Sequence, residues 1–280
     1  MRVAIWGDGS VGRGLAVALS RSADVTLVGP EGAGRKTLEL RATGAIEGST
    51  SVRRLEPFDR PEAGIGILAV KAFDMAEACR HIGHIDRILC VSNGIGFEEE
   101  LSATLVRRLR FAPLTYGFRR VGDSVEVSAG KVFIQRSSTF LELFAESGLE
   151  LEAVNNITAV RWAKWIVNSV INPLGSLTAL PNNRLAGAGL KGLMDQLLEE
   201  LRQPVPEELR KEALGTARAM LARLLADSGN RCSMLQDIDS GRRTEVDYLT
   251  GLCEKRLPGR CPTAYALSSL VRALEADHSR

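Results

Sequence analysis

The sequence predicts an α/β fold in two parts, a parallel-sheet domain over residues 1–152 and an all-α domain over 153–280. Three observations predict it. Short apolar runs alternate with helical stretches as far as about residue 92. From about 110 to 135 the pattern turns to short strands, and after about 153 strand signals nearly vanish in favour of helical periodicity.

Along the chain, "RVAIW" (2–6) is a strand-like run followed by glycines, and "GLAVALS" (14–20) is helical in character. "DVTLVG" (24–29) reads as a second strand, and "RKTLELRATG" (35–44) as a helix closed by Gly44. A glycine- and serine-punctuated region with "SVRRL" (51–55) precedes a strand "GILAV" (66–70), a helix over "FDMAEACRHI" (73–82) and a strand "RILCVS" (87–92). This rhythm implies a parallel sheet with helices on both faces. "RLRFAPLTYGF", "SVEVSAG" and "KVFIQ" are expected as an antiparallel addition at one edge, and "SSTFLELFAESG" (137–148) as a helix with a Ser cap ending at Gly148. Helices are expected over 155–172, 188–202, 206–228, 241–256 and 262–277, with Gln203–Pro204–Val205–Pro206 as a turn between two of them.

Composition narrows the function. Of 280 residues, 45% are apolar and 25% charged, as in a globular protein, and a net charge of +2 gives no reason to expect nucleic acid or an anionic membrane as a partner. No run reaches the roughly 18 apolar residues of a membrane span, and "MRVAIWGDGSVG" has no signal-peptide character. Five cysteines, at 79, 90, 232, 253 and 261, lack a CxxC spacing, so free thiols in a reducing cytoplasm are expected. His81 and His84 have no partners that would complete a metal site, and no metal is expected.

Gly7-Asp8-Gly9-Ser10-Val11-Gly12 is a GxGxxG loop between an N-terminal strand and a helix. The pattern alone is weak, but here it has the context that dinucleotide binding requires. Gly7 permits the tight turn, Gly9 the approach of a pyrophosphate, and Gly12 the packing of helix on strand. The helix N-terminus adds free N–H groups and a partial positive charge. The choice of dinucleotide is divided. Glu31, just after the second strand, suits the ribose hydroxyl of NAD, whereas Arg35 and Lys36 suit the 2′-phosphate of NADP.

A second feature is "WAKWIVNSVINP" (162–173). At about 100° per residue, Lys164, Asn168 and Asn172 share one stripe of a helix that is otherwise Trp, Ile and Val. A partly exposed face explains this blandly. A helix so apolar is normally buried, however, and unpartnered polar groups there cost about 1–3 kcal/mol each, so a polar ligand is the preferred reading. "VSNGIG" (91–96) puts Ser92-Asn93-Gly94 at the carboxyl end of a strand, where open α/β sheets bind ligands. "CSMLQDIDSGRRTEVDYLTG" (232–251) carries Ser233, Gln236, Asp237, Glu245 and Asp247, which periodicity alone would allow as a charged helix face.

Together, the glycine loop, "VKAFD" (70–74), "SNG" (92–94), "WAKWIVNSVINPL" (162–174) and "SMLQDI…RTEVDY" (233–248) resemble the ketopantoate reductase family over essentially the whole chain. The resemblance implies a Rossmann-type domain paired with a helical domain, an active site in the cleft between them, and NADPH-dependent reduction of ketopantoate to pantoate on the route to coenzyme A. It implies Lys164 as general acid, and Asn168, Asn172 and Ser233 as substrate ligands, with Ser233 on the carboxylate. Glu245 is implied as the acid that holds the substrate hydroxyl and positions the lysine, at the edge of the cofactor site. Asn93 would lie between cofactor and substrate, and Lys71 on the cofactor or substrate side. The loop residues Gly7 to Gly12 and Arg35 would hold NADP, with NADH allowed by Pro30-Glu31. A homodimer is a further expectation from the family. Relatives acting on other 2-oxo acids would share most of these residues; a dinucleotide sensor would need the glycine loop but not Lys164.

Overall fold

The structure is a computed structural model that describes residues 1–187, 189–227 and 229–278. It divides into two compact units, Met1–Ser92 with Phe97–Ile157, and Asn93–Gly96 with Thr158–Arg280. The division falls after 157, and four residues of the first half group with the helices.

The first unit runs β1 (Arg2–Trp6), α1 (Ser10–Leu19), β2 (Asp24–Val28), β3 (Lys36–Gly44), β4 (Gly48–Leu55), β5 (Ile65–Leu68), α2 (Met75–Ile82), β6 (Arg87–Cys90), α3 (Ala103–Arg108), β7 (Leu109–Phe111), β8 (Phe118–Val121), β9 (Ser124–Val127), β10 (Val132–Gln135), α4 (Leu141–Ala145) and β11 (Leu151–Val154). Nine strands form one sheet in the order β7-β6-β5-β1-β2-β4-β3-β9-β8. β1 sits in the middle because Val3 to Trp6 are apolar on both faces, with Ile5 registered against Leu27 and Ile67. Successive side chains point to opposite faces. Val3, Ile5 and Leu27 pack with Leu15 and Leu19 of α1. On the other face, a Cβ on Gly66 would stand 2.7 Å from Ile82, so α2 closes onto the sheet there.

Three expectations for this unit are corrected. Residues 36–44 are a strand, not a helix. Leu38, Leu40 and Ala42 are buried while Thr37, Glu39 and Arg41 face water, a period of two that overrides the helix propensity of Leu, Glu and Arg. Gly44 is no helix cap: its φ is +92°, and a Cβ there would fall 2.4 Å from the Val127 carbonyl as β9 pairs alongside. Nor do the short strands after 108 form one antiparallel edge. β7 continues the parallel sheet beside β6, the β8–β9 hairpin closes the opposite edge, and β10 pairs in parallel with β11 as a separate two-stranded sheet. The helix expected over 137–148 shrinks to α4, because Ser138 turns its hydroxyl to accept the Phe140 amide and so caps an approach turn instead.

The second unit contains α5 (Ile157–Thr178), α6 (Asn182–Leu185), α7 (Lys191–Leu201), α8 (Glu207–Asp227), α9 (Ser233–Asp239), α10 (Thr250–Arg256) and α11 (Pro262–His278). The outermost helical positions expected near 188 and 228 lie outside the described residues. Gln203–Pro206 joins α7 to α8 as expected. The helix expected over 241–256 begins only at Thr250. Before it, Gly241 takes a φ of +62° and a 3-10 turn spans Val246–Tyr248. The chain is drawn out of helical register there because Thr244 donates its amide to the Glu275 carboxylate of α11. The core of this unit gathers Trp165, Ile166, Val170, Leu197, Leu252 and Val271. Among the described residues, no helix is long and apolar enough to cross a membrane.

Glu200 shows how this core accommodates a charge. Its carboxylate is buried and accepts the Thr263 and Ala264 amides at 3.0 and 2.9 Å, capping α11 from a neighbouring helix. Replacing it (Glu200→Ala) should lower unfolding stability by about 1–3 kcal/mol, read as a shift of the urea midpoint without a change of slope.

Candidate active site

The glycine loop is built by backbone approach. Gly7 has a φ of +122°, donates its amide to Val28 O at 3.0 Å, and lies so near β5 that a Cβ would fall 2.5 Å from the Ala69 carbonyl. A Cβ on Gly12 would fall 1.8 Å from Gly7 O. Gly9 differs: its φ is −87°, it caps α1, and a Cβ there would meet nothing within 4 Å. Two of the glycines are therefore required by the fold, and the third opens onto space. Ser10 and Val11 begin α1, whose first turn carries no acidic residue. First-turn amides of a helix lack intrahelical acceptors, so an anionic pyrophosphate fits over Gly9.

The other residues expected at the cofactor stand as follows. The Asp8 carboxylate turns inward, where it receives Arg13 Nε at 2.7 Å and Arg54 at 2.8 Å, all three side chains being buried. Arg35 does not stand free. Its guanidinium pairs with Asp59, which also accepts the Glu56 amide at 2.8 Å. The Arg35 hydrogen bond, with help from that amide, holds the Asp59 carboxyl down at about 2. Glu31 is exposed just past β2, and Lys36 is exposed at the start of β3. Lys71 is half-buried ahead of the 3-10 turn Ala72–Asp74.

In the helical unit, α5 is buried around most of its circumference. Arg161, Lys164 and Asn168 form its half-buried stripe, which Asn172 continues into the interior at 7% exposure. Two junctions organise what surrounds this stripe. Cys232 caps α9 by accepting the Leu235 amide at 3.4 Å, and its thiol donates to the Asn172 carbonyl at 3.5 Å. A Cβ on Gly175 would fall 2.9 Å from that sulfur, so α9 starts directly against α5. Exposed Ser233 is consequently held at the Asn172 end of the stripe.

The second junction is the Tyr248 carbonyl, which accepts Trp165 Nε1 at 3.1 Å and the Ile95 amide at 3.5 Å. It ties α5, the segment Asn93–Gly96 and the turn after Glu245 to one another. Glu245 is buried, and its loop is anchored on both sides by Thr244 to Glu275 and by Asp247 to Arg272. Asn93 Oδ1 is buried with no hydrogen-bond partner, and so is Ser169 Oγ. Asn93, Lys164, Asn168, Asn172, Ser233 and Glu245 thus belong to one compact unit, with Lys71 and the glycine loop in the other.

Neither Cys232 nor the Trp165–Tyr248 bond is singled out by the sequence pattern, although Cys232 directly precedes Ser233 and Trp165 follows Lys164. Burial raises the Cys232 thiol above its usual range, which suits a capping group and not a nucleophile. Among the described residues, no group of His, Cys, Asp and Glu is arranged to hold a metal.

Comparison with known proteins bears on both units. The family model described as Ketopantoate reductase PanE/ApbA matches residues 3–155, and the one described as its C terminal matches 156–275. A 2-dehydropantoate 2-reductase of Archaeoglobus fulgidus is 30% identical over 77% of this chain and 78% of its own. A D-mandelate dehydrogenase solved with NADH and anilino(oxo)acetate shares the fold at a TM-score of 0.80 and 18% identity, with both chains fully covered. A dimeric ketopantoate reductase from Staphylococcus aureus does so at 0.76 and 21%, covering 99% of this chain and 100% of that one.

The glycines make a clean contrast. Gly9→Ala should leave stability within about 0.5 kcal/mol while weakening dinucleotide binding at least about tenfold, whereas Gly12→Ala should unfold at markedly lower denaturant. Titration with a reduced dinucleotide beside urea melts distinguishes them.

Proposed function

The chain belongs to the ketopantoate reductase family and is an oxidoreductase, and on that premise we propose that it reduces 2-dehydropantoate to pantoate with Lys164 as general acid. The observation that carries this reading is the stripe on α5. An amine and two amides stand on a helix whose other faces are core, and the residue after Cys232, whose thiol bonds the Asn172 carbonyl, is Ser233. A small polar acid is the kind of ligand such a stripe suits.

When bound over the glycine loop, the reduced dinucleotide supplies a hydride to the carbonyl carbon. The chain's own residues do the rest. The Lys164 ammonium donates its proton to the carbonyl oxygen as negative charge develops there. Asn168 and Asn172 orient the substrate, and the Ser233 hydroxyl donates to its carboxylate. Glu245, on a loop braced from α11, holds the substrate hydroxyl and aligns Lys164. Asn93 offers an amide oxygen that still lacks a donor. Lys71 is assigned to the dinucleotide.

For the electron donor, we read NADH in preference to the NADPH that the family resemblance implies. Glu31 stands exposed just past β2, where a carboxylate suits the ribose hydroxyls and repels a 2′-phosphate. Of the two basic candidates for that phosphate, Arg35 already neutralises Asp59, which leaves only exposed Lys36 to offset Glu31. The reading extends to a cytoplasmic enzyme and to a homodimer, the latter supported by the dimeric relative from Staphylococcus aureus.

Two measurements check this. With ketopantoate saturating, Lys164→Met should lower kcat by about 10²–10⁴-fold while retaining dinucleotide binding. Unchanged turnover would remove Lys164 from the chemistry, and dinucleotide binding with no turnover of the wild type would move the substrate to another 2-oxo acid. Secondly, kcat/KM should favour NADH, and Glu31→Arg should shift the ratio toward NADPH by about tenfold. The hydrogen bond from Arg35 holds the Asp59 carboxyl below its ordinary range in the folded state, so it gives up its charge only as pH falls toward about 2. The Arg35–Asp59 pair should therefore stay intact at neutral pH, and a fall in the NADH-over-NADPH ratio between about pH 8 and 6 would report protonation of the 2′-phosphate and not loss of that pair.

A further inference from the structure

We infer that Arg54 positions the dinucleotide site by joining the two loops that would grip it. The assignment rests on the reading that the first unit binds a dinucleotide over Gly9. Arg54 lies on β4 in register with Leu27 of β2, on the sheet face covered by α1. The residue is 8% exposed, and its guanidinium reaches in two directions. One Nη donates to Asp8 Oδ2 at 2.8 Å, inside the glycine loop. The Nε and the other Nη donate to the carbonyls of Gly34 and Ala33, in the loop after β2, the Gly34 bond being 3.2 Å.

The loop after β2 has few other fixings. Gly32 and Gly34 take φ values of +77° and +74°, and a Cβ at either would meet nothing within 4 Å, so packing does not hold them. The loop's remaining ties are Gly29 N to Leu55 O at 3.0 Å, Ala33 N to Pro30 O at 3.2 Å, Gly34 N to Glu56 at 3.0 Å, and the Arg35–Asp59 pair. At its start the Arg54 stem lies close under Gly29, where a Cβ would fall 3.2 Å from Cδ. From the glycine-loop side, Arg13 of α1 holds the same Asp8 carboxylate, through its other oxygen, at 2.7 Å. One buried carboxylate and two buried guanidiniums therefore connect the glycine loop, α1, β4 and the loop carrying Glu31. Releasing a backbone residue from such a restraint is equivalent to about tenfold in binding. Arg54 is buried with its guanidinium bonded to Asp8, Ala33 and Gly34, so it acts through the loops, as a positioning residue.

The test compares Arg54→Met, Arg54→Lys and Asp8→Asn with the wild type, using ADP-ribose titration, steady-state kinetics with NADH and thermal melts. Arg54→Met should raise the ADP-ribose Kd and the NADH KM at least about tenfold, leaving kcat and the keto-acid KM within about twofold. Arg54→Lys keeps the charge beside Asp8 but cannot span both carbonyls, so it should fall between Arg54→Met and the wild type. If Arg54→Met does not fold, Arg54→Lys and Asp8→Asn decide the matter through the same constants. Melting temperatures lowered without change in Kd or KM would make the cluster purely structural and overturn the inference. A wild type that binds no ADP-ribose would overturn the dinucleotide reading itself, whereas wild-type binding with unaltered variants would overturn only the role of Arg54.

Discussion

A polar group buried among apolar neighbours must find a partner, and in this chain the partner is repeatedly on a different element. That requirement fixes where the candidate site residues stand. The Tyr248 carbonyl takes the Trp165 indole and the Ile95 amide, which aligns three separate stretches of sequence. The Cys232 thiol on the Asn172 carbonyl sets the start of α9. Glu200 caps α11 from α7, and Asp8 holds two arginines from different elements. Apolar packing supplies most of the stability in both units but, being non-directional, resists small slips less sharply. These polar junctions tolerate none, because a shift of an ångström leaves a donor unpaired.

How much of this can be read from sequence depends on how local the determining contact is. The glycine loop is legible because all of its conditions lie within six residues and one flanking strand and helix. The α5 stripe is legible for the same reason: period and composition of a single helix reveal it. β3 misleads because Leu, Glu, Arg and Ala favour helix as isolated residues, and only the alternation of Leu38, Leu40 and Ala42 betrays the strand. The strands after residue 108 are recognisable individually. Their partners, β6, β3 and β11, are set by pairing far along the chain. Glu245 is recognisable only by resemblance, since its loop is shaped by Glu275 and Arg272 some thirty residues on. Arg54 leaves no local signal at all.

The two units divide the polar groups by kind. Charges dominate around the glycine loop, where Asp8, Arg13, Arg54, Arg35 and Asp59 are paired among themselves. Paired charges keep their geometry and add little net field, which leaves the helix N-terminus and the open face of Gly9 to meet an anion. On the α5 stripe, Asn168 and Asn172 stand beside Lys164 and Arg161, with Glu245 buried in the same unit. Such groups distinguish ligands by direction of hydrogen bonding and not by charge alone, which is what a small hydroxy or oxo acid demands of its site.

The four residues Asn93–Gly96 group with the helices although the chain on either side of them belongs to the sheet. Ile95 is part of the helical core, and Gly96, at a φ of +102°, sits so near Leu252 that a Cβ would fall 2.8 Å from it. The helical unit is therefore not a detachable tail. A gene fragment beginning at residue 158 would encode a core lacking one of its side chains and a candidate site lacking Asn93. Any recombination that exchanged C-terminal halves between relatives would have to carry this short loop along, or find a compatible one already in place. The boundary that matters for inheritance and for grafting is thus discontinuous, and a modular swap at a single crossover would set the loop of one parent against the Leu252 of the other.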